Sequence, residues 1–501
     1  MRSFGSIRDR FSPVDTAWLR MEHPTNLMMI SGIFMFDEPI DFDELKAVIE
    51  NRLLRFRRFR QKVAQPPLSF MTPFWIDDPH FDINAHIHRI ALPSPGDQAA
   101  LQRLTNDLMS TPLDFSKPLW QIHLVEGYGE GCALVCRLHH CIADGIALMR
   151  VLLSLTDDDE EPAPHDSEES TAIPVRTNRA GVPLDGRRIS DGLDILADPD
   201  RRRAALKMGA EGALTLANLL LLSPDPPTPL KGPLGVQKRC AWTLPIPLED
   251  VKAVGQVTDA TVNDVLLTAV AGALGRYLRS RGEAVGGLDL RAVVPVNLRP
   301  LDGPIKLGNA FGLVFLPLPV GIDDPLDRLR ELKRRMDEIK GTPEALVTFG
   351  ILNAMGAAGP GVEEIVVSIF EKKATTVMTN VPGPREVRYL AGKPIKGIMF
   401  WVPQSGRLGL GVSILSYAGD VLIGVASDAG LTPDPETIIE ATHVEFDSLM
   451  QLVTWAKQAD AETPHSLERN QCHGITKAGH ACKNKAQPGS SFCHLHADQA
   501  G

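Results

Sequence analysis

Apolar runs of strand length alternate along the chain with segments whose apolar residues recur at helical spacing, and turn residues punctuate the joins. In the first half, residues 28–36, 81–91, 120–125 and 133–136 read as strands, the last apolar throughout and so buried on both faces. Helices are predicted around Trp18 and Leu19, after Asp41 with Leu45, Val48, Ile49 and Leu53 on one face, over 97–109, and from Ile146. Asp41 with Glu44 is a capping signal for the second of these. The glycines of 127–131 supply a hairpin turn. In Arg55-Phe56-Arg57-Arg58-Phe59-Arg60 arginines alternate with aromatics, which reads as a solvated edge strand or, less commonly, as a grip for a phosphorylated ligand.

The pattern breaks after Leu155. Asp157-Asp158-Asp159-Glu160-Glu161-Pro162 opens a linker rich in Ser, Glu and Pro that runs to about Thr177. Residues 191–222 are then helical in pattern, with arginines at 201–203 and leucines at 216 and 219–222. Such a segment either lies on a bilayer, arginines on lipid phosphates and leucines in the acyl boundary, or packs on protein at a domain junction. The second half resumes with strands over 237–244, 291–300, 312–317 and 374–379, a hairpin of 409–417 with 421–427, and helices after Thr261, from Pro325 and over 436–455. Thr261 and Asp264 form a capping box, which explains the acid and leaves Asn263 free. Strands and helices alternate in both halves, so the fold class is α/β, in a mixed α+β arrangement. The expected parts are an N-terminal domain over 1–156, a connector over 157–235, a C-terminal domain over 236–460 and a tail over 461–501.

Composition adds limits. At 501 residues the chain exceeds one ordinary core. Its 44% hydrophobic and 23% charged content is that of a soluble globular protein, with no apolar run of membrane-spanning length. Any membrane contact is therefore expected to be peripheral. The N-terminus shows no secretion signal, and a cytoplasmic location is expected. A net charge of −10 makes nucleic acid an unexpected partner. Cys132, Cys136, Cys141 and Cys240 sit in apolar sequence and read as buried free thiols.

The chemistry concentrates in Leu138-His139-His140-Cys141-Ile142-Ala143-Asp144-Gly145, between a predicted strand and a predicted helix. Successive strand side chains point to opposite faces, so only one histidine of the pair can face a cleft. An imidazole titrating near neutrality suits proton removal from an alcohol or thiol. Asp144 either orients that imidazole or pairs with an arginine, and Gly145 allows a tight turn after it. The chain has no G-x-S-x-G elbow, P-loop, H-E-x-x-H or dinucleotide-binding glycine set, so covalent serine catalysis and nucleotide hydrolysis lose support.

His139-His140-Cys141-Ile142-Ala143-Asp144-Gly145 matches the HHxxxDG signature of the CoA-dependent acyltransferase superfamily. With Ser12-Pro13-Val14-Asp15, Pro118-Leu119-Trp120, Asn263-Asp264, Val294-Pro295-Val296-Asn297-Leu298-Arg299, Gly308-Asn309, Thr379-Asn380-Val381-Pro382-Gly383-Pro384 and the stretch from Ser413 to Tyr417, the chain up to about residue 458 resembles the bacterial wax ester synthase/diacylglycerol acyltransferase family. The resemblance implies two chloramphenicol-acetyltransferase-like domains with a tunnel at their interface. It implies fatty acyl transfer from acyl-CoA to a long-chain alcohol or diacylglycerol, without a catalytic metal or redox cofactor. On this mapping His140 is the general base and His139 its neighbour. Asp144 is structural and pairs with Arg299, and Asn263 is a polar group near the reacting centre, suited to the thioester oxyanion. Thr379, Asn380 and Ser413 line the junction, and Pro118 and Trp120 are structural or substrate-lining. Peripheral association with the inner membrane or lipid droplets follows as an expectation. The alternatives are a relative with another acceptor or a carrier-protein donor, and a non-catalytic lipid-droplet binding protein.

The tail departs from that pattern. Cys472, Cys482, Cys493 and His496 bring three thiolates and an imidazole into a segment with almost no apolar residues. Either zinc staples it or it stays disordered; His473, His480 and His494 are alternative ligands.

Overall fold

The computed structural model describes residues 8–68, 71–159, 214–299, 305–358, 361–404, 406–462, 472–476, 478–487 and 490–499. Met1–Leu449 forms one compact unit and Met450–Gly501 a second.

Two sheets organise the first unit. One is five-stranded, in the order Gly397–Trp401, Met29–Phe36, Gly131–His139, Trp120–Tyr128, Ile87–Ala91. Met29–Phe36 and Gly131–His139 are buried along their whole length, as unbroken apolar runs demand. Their antiparallel register sets Met29 opposite His139 at one end and Phe36 opposite Cys132 at the other. The second sheet is seven-stranded, with Phe311–Leu318, Leu290–Asn297, Thr376–Pro382, Leu410–Tyr417, Asp420–Asp428 and Lys238–Trp242 in that order and Ile246–Pro247 also on Asp420–Asp428. Leu290–Asn297, Thr376–Pro382 and Leu410–Tyr417 run parallel, and their ends gather polar residues. Ile33, Val135 and Met399 of the first sheet share a core cluster with Trp242 and Leu422 of the second.

Gly397–Trp401 comes from the second half yet forms an edge of the first half's sheet, on Met29–Phe36. The two halves are thus tied by a strand exchange that the hydrophobic pattern did not reveal.

Local signals set the helix starts. Ser12 caps Pro13–Arg20, Asp41 caps Phe42–Arg52, Asp97 caps Gln98–Met109, and both halves of the Thr261/Asp264 capping box form at Val262–Ser280. Among the described residues no single helix is long and apolar enough to cross a membrane.

Two sequence expectations change. Residues 55–60 form no edge strand: Leu53–Arg55 and Arg57–Arg60 are 3-10 turns, which put Phe56 and Phe59 three apart on one side. Phe59 is wholly buried, Arg57 pairs with Asp77 at 2.7 Å, and Arg58 lies over the Trp75 ring at 4.1 Å. Their charges are thereby engaged within the protein. Helices Glu344–Ala357 and Val362–Glu371 were not anticipated. The first is apolar on all sides, so it lacks a one-sided stripe, because it is packed against both Pro13–Arg20 and Phe311–Leu318. Gly356 makes that packing possible, since a Cβ there would collide with the Pro13 carbonyl. Of the linker and the 191–222 helix, only residues 157–159 and 214–222 lie within the described residues, the latter helical over 214–221.

Candidate active site

The strand Gly131–His139 ends at the first histidine, and the chain turns before the helix Gly145–Leu153 begins. The two imidazoles part there. His139 is wholly buried; its Nδ1 accepts the Cys141 N–H at 3.1 Å and its Nε2 lies 3.4 Å from the Glu22 carboxylate. His140 lies on the wall of a cavity of about 170 Å³, its ring stacked on Trp18 with centroids 4.0 Å apart and planes 15° apart. Phe311 stands at 5.8 Å. Burial pushes the His140 imidazole down to about 3, so it is neutral at ordinary pH. Its Nδ1 is buried and has no hydrogen-bond partner among the described residues, which leaves Nε2 as the nitrogen available to the cavity.

The histidine's backbone is fixed by distant parts of the chain. Its N–H donates to the Met28 carbonyl at 2.7 Å, and its carbonyl accepts from the Asn309 side-chain amide at 2.8 Å. That amide also donates to the Asp15 carboxylate at 2.8 Å, which takes the Asn309 backbone N–H at 3.0 Å as well. Burial raises the Asp15 carboxyl above the usual range, with the Asn309 and Ser12 hydrogen bonds opposing it. Sequence reasoning gave no role to Asp15, Trp18, Glu22 or Asn309. Asp15 and Asn309 stood within quoted motifs, but their meeting across 294 residues left no local signal.

Asp144 turns away from the imidazole. It caps the helix by accepting the Ala147 N–H at 2.9 Å, accepts the Ala310 N–H at 3.0 Å and pairs with Arg299 at 3.2 Å. Arg299 also donates to the carbonyls of Lys306, at 2.7 Å, and Gly308. Gly308 in turn is bonded to Ile142 and Asp144, so the 140–144 loop and the 306–310 segment are stitched together. The expected Asp144–Arg299 pair is present.

Gly145 is not at a tight turn. It is the first residue of the helix, and a Cβ there would meet open space at the cavity wall. The cavity is otherwise largely apolar, with Val293, Pro295, Phe315, Ile351, Val366 and Phe400 among its walls. Thr379 and Asn380 line it too; the Thr379 hydroxyl donates to buried Ser413 at 3.3 Å across parallel strands. Asn263 does not reach the wall. It is exposed at the start of its helix and accepts the Asn380 amide at 2.6 Å, so it meets the cavity only through that residue. Pro118 and Trp120 are core rather than lining: Trp120 donates to the Phe59 carbonyl at 2.8 Å and stacks on His86 at 4.5 Å.

In the second unit Cys472, Cys482, Cys493 and His496 bring their ligand atoms within 4.8 Å of one another. His473, His480 and His494 are exposed and stand outside that cluster. The other four cysteines are buried free thiols, as expected.

Comparison with known proteins gives these features a context. Residues 11–266 match the wax ester synthase/diacylglycerol acyltransferase catalytic domain, and 307–450 match the C-terminal domain of the same proteins. The chain is 31% identical over 440 residues to the probable diacylglycerol O-acyltransferase tgs1 of Mycobacterium tuberculosis, covering 86% of this chain and 92% of that one. The solved wax ester synthase/diacylglycerol acyltransferase of Marinobacter aquaeolei superposes with a TM-score of 0.65 at 21% identity, covering 89% of this chain and 100% of that one. The first condensation domain of the calcium-dependent antibiotic synthetase gives 0.57 at 14%, covering 89% and 96%. These likenesses bear out the mixed α/β architecture of chloramphenicol-acetyltransferase type. The chain belongs to the wax ester synthase/diacylglycerol acyltransferase family.

Proposed function

We propose that this acyltransferase moves a fatty acyl group from acyl-CoA to the hydroxyl of a long-chain alcohol or diacylglycerol, giving a wax ester or a triacylglycerol, with His140 as general base. The observation that carries the reading is a neutral imidazole, locked by Trp18 and Asn309, at the wall of a largely apolar cavity. His140 Nε2 takes the acceptor's hydroxyl proton as the oxygen attacks the thioester carbonyl. The tetrahedral intermediate then expels the CoA sulfur, which receives the proton from the imidazolium. Proton transfer of this kind contributes roughly 10²–10⁴-fold. Asp144 and Arg299 act as positioning residues that hold the loop. Asn380 is the polar group suited to the thioester oxyanion, and Asn263 orients it. Acyl-CoA and the lipid acceptor are the partners this chemistry requires, and no step needs a cofactor.

Contact with a membrane or lipid droplet belongs to the same reading. Lys373 donates to the carbonyls of Leu219, Leu220 and Leu222 and closes the end of the 214–221 helix. Leu220 and Leu221 are left 53% and 83% exposed, and Ile365 is 62% exposed on the helix whose Val366 and Phe370 line the cavity. Leu219 and Phe370 share one apolar cluster, so the two helices adjoin and form an apolar rim for a lipid surface. Anionic phospholipid vesicles are expected to sediment the protein, and a Leu220→Glu/Leu221→Glu pair to release it while soluble-substrate turnover persists.

Incubation with palmitoyl-CoA and either hexadecanol or diacylglycerol, followed by lipid analysis and thiol release, tests the reaction. Ester with equimolar CoA is expected. His140→Ala is expected to lose roughly 10²–10⁴-fold at an unchanged melting temperature. No CoA release with either acceptor overturns the reading.

A further inference from the structure

The family match ends at residue 450, and the cysteine cluster lies beyond it. Cys472 and Cys482 are joined to each other's neighbours by the backbone bonds Cys472 N–H to Asn484 O, at 2.9 Å, and Cys482 N–H to Gly474 O, at 2.8 Å. The Thr476 N–H donates to the His480 carbonyl at 2.8 Å and so brings the two segments together. Cys493 and His496 belong to one further turn, in which the His496 N–H donates to the Cys493 carbonyl at 2.9 Å. Three separate stretches of chain thereby aim four soft or borderline ligand atoms at one point.

Three of the six ligand–ligand distances lie close to the edges of a coordination tetrahedron, and all six are within 4.8 Å. With Zn–S near 2.3 Å and Zn–N near 2.0–2.1 Å, tetrahedral edges are about 3.8 Å between sulfurs and about 3.5 Å between sulfur and nitrogen. Cys482 Sγ and Cys493 Sγ stand 3.8 Å apart, and His496 Nδ1 stands 3.5 Å from Cys472 Sγ and 3.3 Å from Cys493 Sγ. No disulfide joins Cys482 and Cys493, since S–S bonds are close to 2.05 Å. Backbone N–H groups point at the sulfurs: those of Gly474 and Cys493 at Cys472 Sγ, 3.3 and 3.1 Å away, and that of Asn484 at Cys482 Sγ, 3.5 Å away. Such donors offset thiolate charge. Gly474 is required by the same packing, since a Cβ there would run into the His496 ring.

We propose that Cys472, Cys482, Cys493 and His496, through its Nδ1, bind one zinc ion that takes the place of a hydrophobic core in this tail. The only apolar cluster among its described residues is the three cysteines themselves with a partly buried Phe492. A segment so poor in apolar burial folds when a metal supplies the missing free energy. Binding releases the three thiol protons to solvent and leaves a site of net charge about −1, the sum of a divalent cation and three thiolates. All four ligands come from protein, so no position is left open for catalysis and the role is structural.

Elemental analysis of the full-length protein, purified without chelator and desalted, is expected to find about one zinc per chain. C482S/C493S is expected to retain less than about a tenth of that at unchanged acyl-transfer activity, because the ligand set is halved. Exchange for cobalt(II) in the full chain is expected to give the intense visible bands of a tetrahedral site with a sulfur-to-cobalt transition, shifted but kept in H496C. The cobalt spectrum of the wild type makes the result independent of whether the serine variants fold. Absence of zinc with no uptake from added Zn²⁺, iron in its place, or undiminished zinc in C482S/C493S would each overturn the proposal. None of these outcomes touches the acyl-transfer reading.

Discussion

The loop at His140 and the tail cluster both rest on histidine, and they hold it by opposite means. His140 is surrounded by Trp18, Phe311 and a backbone clamped by Met28 and Asn309, so its environment is built by a large core and by hydrogen bonds from residues far away in sequence. His496 is placed by a cysteine three residues before it, by other cysteines 14 and 24 residues before it, and by a glycine that makes room for its ring. In the first region the fold exists and the histidine is fitted to it. In the second, with zinc bound as proposed, the ligands are the fold. The lesson is that a site's dependence on its own side chains scales inversely with the core that surrounds it.

The strongest way to break that contrast is to remove the metal. Structural zinc in small modules contributes about 10–16 kcal/mol, so chelation is expected to abolish the protection of tail amides from hydrogen exchange altogether. The acyl-transfer rate and the amides of Met29–Phe36 and Gly131–His139 are expected to stay as they were. Exchange followed by mass spectrometry on the full chain reads both regions in one experiment. Tail protection that survives chelation would show that something other than the ligands builds the module.

Next in size is Asp144→Ala. The variant loses a helix cap and leaves Arg299 beside an empty place, each partner being largely buried, and about 3 kcal/mol of stability is expected to go. Asp144→Asn keeps much of the cap and is expected to cost less. Activity should fall with the melting temperature and recover on cooling, because the carboxylate faces Arg299 and the Ala310 N–H rather than the imidazole. A triad aspartate would instead lose rate at constant stability.

How much of this was readable beforehand follows from the range of the interactions. The strand–loop–helix around His140 and the caps at Asp41 and Thr261 are set within a few residues, and the four cysteine and histidine residues that gather in the tail lie within 25, so sequence periodicity and spacing carried them. The partner of Asp144 came from the family resemblance rather than from spacing, and the ion pair is indeed with Arg299. What escaped was non-local or isotropic: the Gly397–Trp401 exchange, the all-apolar Glu344–Ala357 helix, and the Asp15–Asn309 clamp across the chain. Gly145 and Asn263 were placed by motif alone. Spacing cannot tell a glycine needed for a turn from one that leaves room at a cavity wall, nor an asparagine on the wall from one behind it.

Asp15→Asn probes the clamp with a smaller expected effect. The substitution keeps the volume but sets an amide against the Asn309 amide, removing a charge-assisted acceptor worth about 1–2 kcal/mol. Loosening the His140 carbonyl is expected to lower kcat about tenfold, by that energy, while KM for acyl-CoA holds. Asp15→Glu should recover little, because its longer side chain must fit where the carboxylate is already buried. Equal losses in kcat/KM and thermal stability, with kcat unchanged, would reduce Asp15 to a purely structural residue.

The mildest test is acidification, and it separates the two histidine environments without any substitution. Burial holds His140 down to about 3, so the free enzyme's base stays unprotonated well below the ordinary value near 6.5. On this account kcat/KM is flat between pH 7.5 and about 5.5, where an ordinary histidine would already have lost about nine-tenths of its basic form. Stability moves with a definite sign. Between about pH 6.5 and 4 the unfolded chain takes up protons that folded His140 refuses. His123, held down to about 4 by burial with Arg137 and His88 nearby, refuses them too. The unfolded state binds more protons across that window, so stability declines as pH falls, by up to about 1.4 kcal/mol per unit for each such histidine. A melting temperature that drops through this range while kcat/KM stays level fits a base kept neutral by its packing. An acid limb near 6.5 in kcat/KM would instead require a base whose surroundings are wet, and would move the assignment away from the Trp18-stacked imidazole.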